Sequence, residues 1–132
     1  MVDVVSHYKK YASIIDKRLK NVISSGCYIQ GEEVSKFENS LSKYLGSNYT
    51  ITCGNGTDAL FIALMALDLK RGDEVIVPSF TFVSTVETIC LLGLTPIFID
   101  IDPDTFILNE DLIKKNISKK TKAIIPVHLF GQ

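Results

Sequence analysis

Thr52-Cys53-Gly54-Asn55-Gly56-Thr57-Asp58-Ala59-Leu60 is the stretch on which the reading of this chain turns. Before it, Tyr49 to Cys53 predicts a short strand; after it, Thr57 to Leu67 predicts an apolar helix. A turn at the carboxyl end of a strand, opening a helix, is where open α/β sheets hold ligands. Its glycines permit positive φ and close backbone approach. The N–H groups of Gly56, Thr57 and Asp58 would face outwards at the positive end of the helix dipole, beside the Thr57 hydroxyl. Such a terminus suits a phosphate. A second reading carries equal weight: Gly54 and Gly56 make the turn, and Thr57 or Asp58 caps the helix.

The spacing Gly54-x-Gly56-x-x-Ala59 also satisfies a dinucleotide fingerprint. That fingerprint wants an acidic residue at the end of the second strand to hold a ribose. Val77-Pro78-Ser79-Phe80-Thr81 stands there instead, and Asp73 and Glu74 come at the wrong end of that strand. A nicotinamide cofactor is demoted on this ground.

Working outwards, the rhythm of strand and helix continues. Glu74 to Pro78 predicts a strand, residues 83–92 a helix stopped by Gly93, and Thr95 to Ile101 a strand. Asp102-Pro103-Asp104 predicts a turn, and Asn109 caps a helix beginning at Glu110-Asp111. Ala123 to His128 predicts a last strand. The runs Val75-Ile76-Val77 and Ile97-Phe98-Ile99 are apolar without alternation, as strands covered on both faces are. The fold class is therefore α/β, three-layered, with a mostly parallel sheet.

Residues 1–48 predict a separate helical segment, and residues 49–132 the first part of the α/β domain. Val4, Tyr8, Tyr11, Ile15, Leu19 and Val22 fall on one helical stripe, closed at Gly26. A second helix turns Val34, Phe37, Leu41 and Leu45 inward, opens with Glu32 and Glu33 and closes at Gly46. The chain stops at Phe130-Gly131-Gln132, directly after a buried-type strand, and so reads as truncated.

Bulk properties narrow the function classes. Hydrophobic residues at 46% and charged residues at 22% exclude disorder. Fourteen basic against 15 acidic side chains leave a net charge of -1, without the basic footprint of a nucleic-acid binder. Cys27, Cys53 and Cys90 form no CxxC pair, so no metal site is signalled. With no signal-peptide layout and no apolar run of spanning length, a cytoplasmic location away from membranes is expected.

A second candidate for chemistry is Pro78-Ser79-Phe80-Thr81-Phe82-Val83-Ser84-Thr85, again between a strand and a helix. Phe82 could offer a flat apolar face to a planar heteroaromatic ligand, with hydroxyls around its edge. The alternative is that Phe80 and Phe82 are core beneath the loop. His7, Glu87 and His128 carry weaker signals, and a Ser79–His128–Asp100 triad has no GxSxG elbow to support it.

Four ordered blocks carry a resemblance: Ser25-Gly26-Cys27-Tyr28-Ile29-Gln30-Gly31 with Val34 and Phe37-Glu38; Gly54 to Leu60; Gly72 to Ser79 with Thr81-Phe82; and Pro126 to Gln132. Together they resemble the DegT/DnrJ/EryC1/StrS family of sugar aminotransferases, from about residue 5 to the end. The resemblance implies the fold-type-I large domain, its N-terminal portion only. It implies pyridoxal 5'-phosphate as cofactor and a homodimer with active sites at the subunit interface. It also implies amino transfer from glutamate to a nucleotide-linked keto-sugar, in polysaccharide or sugar biosynthesis. By position, Gly56, Thr57 and Asp58 would hold the cofactor phosphate, Phe82 would stack on its ring, and Tyr28 would lie near the substrate.

The family's Schiff-base lysine and pyridinium-pairing aspartate both fall beyond the position of Gln132. Lys70, Lys114, Lys115, Lys119, Lys120 and Lys122 sit in helices or turns, so no catalytic residue is assigned in this chain. A dehydratase using the same cofactor, or a non-catalytic α/β module binding a phosphorylated ligand, are the alternatives.

Overall fold

The computed structural model describes residues 3–131. The chain divides between Thr52 and Cys53 into two compact units, where the sequence had suggested a division after residue 48.

The first unit is helical. Helix α1 (Val4–Ser25) opens where the Asp3 carboxylate accepts the Ser6 amide at 2.9 Å. It ends at Gly26, whose φ of 68° favours glycine. Helix α2 (Glu32–Leu45) starts with Glu32 and Glu33 and closes at Gly46. Neither helix has a buried residue. The stripe on α1 is formed, but Tyr8, Ile15 and Leu19 are exposed, and on α2 the expected inward residues Phe37 and Leu45 are exposed too. Val34 and Leu41 are half-buried. Two helices of this length lack the surface to enclose their own apolar side chains.

Residues 49–53 are not the expected strand. Tyr49 and Ile51 are 85% and 83% exposed. No ladder partner lies beside this segment among the described residues. Instead the Thr52 amide and hydroxyl donate to the Glu38 carboxylate at 2.9 and 2.8 Å, and Ser42 donates to the Thr50 hydroxyl. A strand exists only where a neighbour takes its backbone groups.

The second unit contains α3 (Gly56–Ala66), β1 (Glu74–Pro78), α4 (Ser84–Leu91), β2 (Thr95–Ile99), α5 (Glu110–Asn116) and β3 (Thr121–Ile124). The strands form one sheet in the order β2-β1-β3, both pairings parallel. Ile76 pairs with Ile97 on one side and Ile124 on the other. The Ile125 amide continues the pairing onto the Ile76 carbonyl at 2.8 Å. Two strands are shorter than expected: β2 stops at Ile99, Ile101 making only an isolated bridge to Leu108, and β3 stops at Ile124.

The unalternating run on β1 has the predicted cause. Val75, Ile76 and Val77 are wholly buried, although alternate residues point to opposite faces. Val75 and Val77 join Leu64 of α3, Ile89 of α4 and Leu94 in one core. Helix α3 packs on α4, and α5 packs on β2. Burying each such aliphatic side chain stabilises the unit by about 1.5–3 kcal/mol. No described helix is long and apolar enough to cross a membrane.

Candidate functional site

The turn before α3 is built around Asn55. Its side-chain oxygen accepts the Asp58 amide at 2.9 Å, and its side-chain nitrogen donates to the Asp58 carboxylate at 3.0 Å. Asn55 is therefore the cap, a part the sequence reading had offered to Thr57 or Asp58. The Cys53 thiol donates to the Asn55 carbonyl at 3.3 Å and the Ala59 amide makes the first intrahelical bond to that carbonyl. One expectation needs correcting: the Asp58 amide does not face outwards unpaired, because the cap uses it. The amides of Gly56 and Thr57 have no hydrogen-bond partner among the described residues, as first-turn donors do.

The glycines act differently from expectation as well. Neither Gly54 nor Gly56 has positive φ. A Cβ at Gly54 would come within 2.8 Å of the Asp58 carboxylate. A Cβ at Gly56 would meet nothing within 4 Å. The chain itself does not require glycine at 56, and the space it leaves lies at the open end of α3. Two unpaired amides, the half-buried Thr57 and that clearance fit a phosphate ester.

The second loop runs from Ser79 to Val83, between the carboxyl end of β1 and α4. Phe82 is 70% exposed, so it is not core beneath the loop. Its ring offers the flat apolar surface a heteroaromatic ligand needs. The Ser79 amide donates to the Ile99 carbonyl at 2.9 Å, and its hydroxyl donates to the Asp100 carboxylate at 3.2 Å. Asp100 also accepts the Ile101 amide. Ser79 and Asp100 are thus brought together, as a strut between the ends of β1 and β2. The Thr81 and Thr85 hydroxyls lie 3.5 Å apart. Phe80 lies tilted against Phe106, centroids 5.9 Å apart, and Phe106 meets Phe130 edge-on at 5.1 Å.

Tyr28 lies in the helical unit, its hydroxyl donating to the Ile23 carbonyl at 3.2 Å. It lines a cleft of about 290 Å³ with Asn21, Cys27, Glu33 and Lys36. Gly31 also lines that cleft, and its close approach to Cys27 requires glycine, since a Cβ there would sit 2.6 Å from the Cys27 carbonyl oxygen.

Sequence reasoning gave Asn55 no capping role, set Asp100 beside Ser79 only in a triad without support, and missed Phe106. Asn55 had a legible signal, an asparagine immediately before the first helical residue. The pairing of Phe106 with Phe80 had none, since it depends on a turn conformation far along the chain.

The α/β layer with parallel strands is shared with solved aminotransferase structures. The sequence model of the DegT/DnrJ/EryC1/StrS aminotransferase family matches residues 10–132, and the chain belongs to that family. A relative from Pseudomonas aeruginosa, named UDP-2-acetamido-2-deoxy-3-oxo-D-glucuronate aminotransferase, is 46% identical over 99% of this chain and 36% of its own length. A solved DegT DnrJ EryC1 StrS aminotransferase from Brucella abortus superposes with a TM-score of 0.86 at 39% identity, covering 98% of this chain and 37% of that one. An E. coli GDP-4-keto-6-deoxy-D-mannose-3-dehydratase with bound hydrated PLP superposes at 0.82, with 32% identity over 87% of this chain and 31% of its own. The chain thus spans about a third of the length of such relatives.

Proposed function

We propose that the protein binds pyridoxal 5'-phosphate and transfers an amino group from glutamate to a nucleotide-linked keto-sugar. The observation that carries the reading is the opening of α3. The amides of Gly56 and Thr57 are unpaired among the described residues, and Gly56 leaves room above them. In this reading those amides and the Thr57 hydroxyl hold the phosphate. Asp58 belongs to the same grip, its amide and carboxylate fixing the turn through Asn55. Phe82 covers one face of the ring. Bound pyridoxal phosphate supplies the electron sink through which amino groups are exchanged. The chain's own residues bind it, orient it and keep one face dry.

The names of the relatives support the amino-transfer half, and nucleotide sugars recur among them. A homodimer in the cytoplasm, with Tyr28 beside a substrate, completes the proposal. Residues 1–132 offer no lysine on the loops at the carboxyl ends of the strands, so this stretch alone is proposed not to transaminate. Similarity to a dehydratase carrying PLP favours one second reading, dehydration of a keto-sugar with the same cofactor.

The experiment is a titration of the complete gene product with pyridoxal phosphate, followed by absorbance and compared with pyridoxal. Thr57→Ala should weaken pyridoxal phosphate roughly ten- to a hundredfold while leaving pyridoxal unchanged, since a hydrogen bond to a charged group contributes about 1.5–3 kcal/mol. Equal loss for both ligands would refute the phosphate assignment. Turnover with glutamate and a keto-sugar nucleotide, against water loss from the same sugar, decides between the two reactions.

A further inference from the structure

Three segments leave the carboxyl ends of the three strands, and each brings one phenylalanine to a common cluster. Phe80 follows β1, Phe106 follows β2 and Phe130 follows β3. Phe106 is the middle member, tilted against Phe80 and edge-on to Phe130, with centroids 5.9 and 5.1 Å away. Its backbone sits at φ 59°, a region that side chains with a Cβ avoid. The turn before it imposes that conformation. The Asp102 carboxylate accepts the amides of Asp104 and Thr105 and the Thr105 hydroxyl, at 3.0, 2.9 and 3.1 Å. The Phe106 amide donates to the Asp102 carbonyl at 2.8 Å, and the Asp102 amide donates to the Ile107 carbonyl at 2.9 Å. Five hydrogen bonds within one turn aim a single ring at Phe80.

Phe80 lies two positions from Phe82 on a loop otherwise tied to the sheet through Ser79, by the Ile99 carbonyl and Asp100. We infer that Phe106 is a positioning residue for the proposed cofactor ring: through Phe80 it clamps the loop that presents Phe82. This rests on the pyridoxal phosphate reading above and names what sets the ring's orientation. Phe106 is assigned to neither the phosphate grip nor the ring contact. Its effect is confined to the ring-facing loop and leaves the phosphate grip at α3 unchanged.

The test uses the complete gene product with Phe106→Leu, which removes the ring and keeps the bulk, and Phe106→Tyr, which keeps the ring. Phe106→Leu should weaken pyridoxal phosphate roughly three- to tenfold, the size of a lost aromatic contact. The circular dichroism induced in the bound cofactor's absorption band should fall with it. Affinity for inorganic phosphate should not change, and Phe106→Tyr should restore both cofactor readouts. Phe130→Leu, at an exposed position the fold tolerates, should act in the same direction by about twofold. Wild-type affinity and dichroism in the two leucine variants would overturn the inference, as would parallel loss of cofactor and inorganic phosphate. A wild-type protein that binds inorganic phosphate but no pyridoxal phosphate would instead remove the proposed cofactor, and the inference with it.

Discussion

In residues 53–131, Val75, Ile76 and Val77 are wholly buried, whereas no side chain of α1 or α2 in residues 3–52 is buried. Both units have well-formed ends. Asp3, Gly26 and Gly46 terminate their helices as firmly as Asn55 and Asn109 do in the other unit. The difference is tertiary. In the sheet unit, strands and helices distant in sequence close over one another. The helical unit rests on caps and on exposed pairs such as Lys36 with Glu32 and Glu33, at 3.0 and 3.1 Å. Such pairs contribute only about 0.3–0.5 kcal/mol each. Good local structure and a stable unit are separate properties.

The largest effect is expected at Ile76, wholly buried at the centre of the sheet. Ile76→Ala should cost about 2–5 kcal/mol, the range for deleting a buried aliphatic side chain. Urea unfolding followed by hydrogen exchange should register that loss in residues 53–131. A loss under about 1 kcal/mol would mean that the strand is not the unit's centre.

A smaller effect is expected at the cap. Asn55→Ala should cost about 1 kcal/mol, as loss of a capping side chain does. It should also free the Asp58 amide, raising its exchange rate more than that of Leu64. Unchanged exchange at Asp58 would contradict the capping geometry.

The smallest effect sharpens the picture of the helical unit. Backbone and side-chain hydrogen bonds from Thr52 hold the Glu38 carboxyl below its ordinary value of 4.5. A carboxylate depressed in the folded state stabilises above its unfolded value, and that contribution disappears as pH falls through the folded one. The difference in urea midpoint between the wild type and Glu38→Ala should therefore be present above pH 4.5 and shrink below it. A difference that grows on acidification would reverse the assignment.

How much was legible follows the same division. The β1 run was readable to the residue because burial on both faces leaves an uninterrupted apolar signature. Four blocks in order marked the family, and residues 10–132 match it. The stripes on α1 and α2 gave the helices but not their surroundings, because a period states which residues share a face and not what covers it. Tyr49 to Cys53 has strand composition, yet Thr50 and Thr52 hydrogen-bond to side chains of α2. At the candidate site, the two strand-to-helix motifs and the family resemblance put forward Gly56, Thr57, Asp58 and Phe82; the cap takes the Asp58 amide, and Phe82 is exposed on its loop. Phe106 could not be found, because its positive φ arises from the bonds that Asp102 collects in a turn.

The most direct measurement is a crystal structure of the complete gene product with pyridoxal phosphate. Phosphate oxygens should lie about 2.7–3.2 Å from the amides of Gly56 and Thr57, with the pyridine ring flat on Phe82. A ring bound elsewhere, or a phosphate held away from the start of α3, would contradict it.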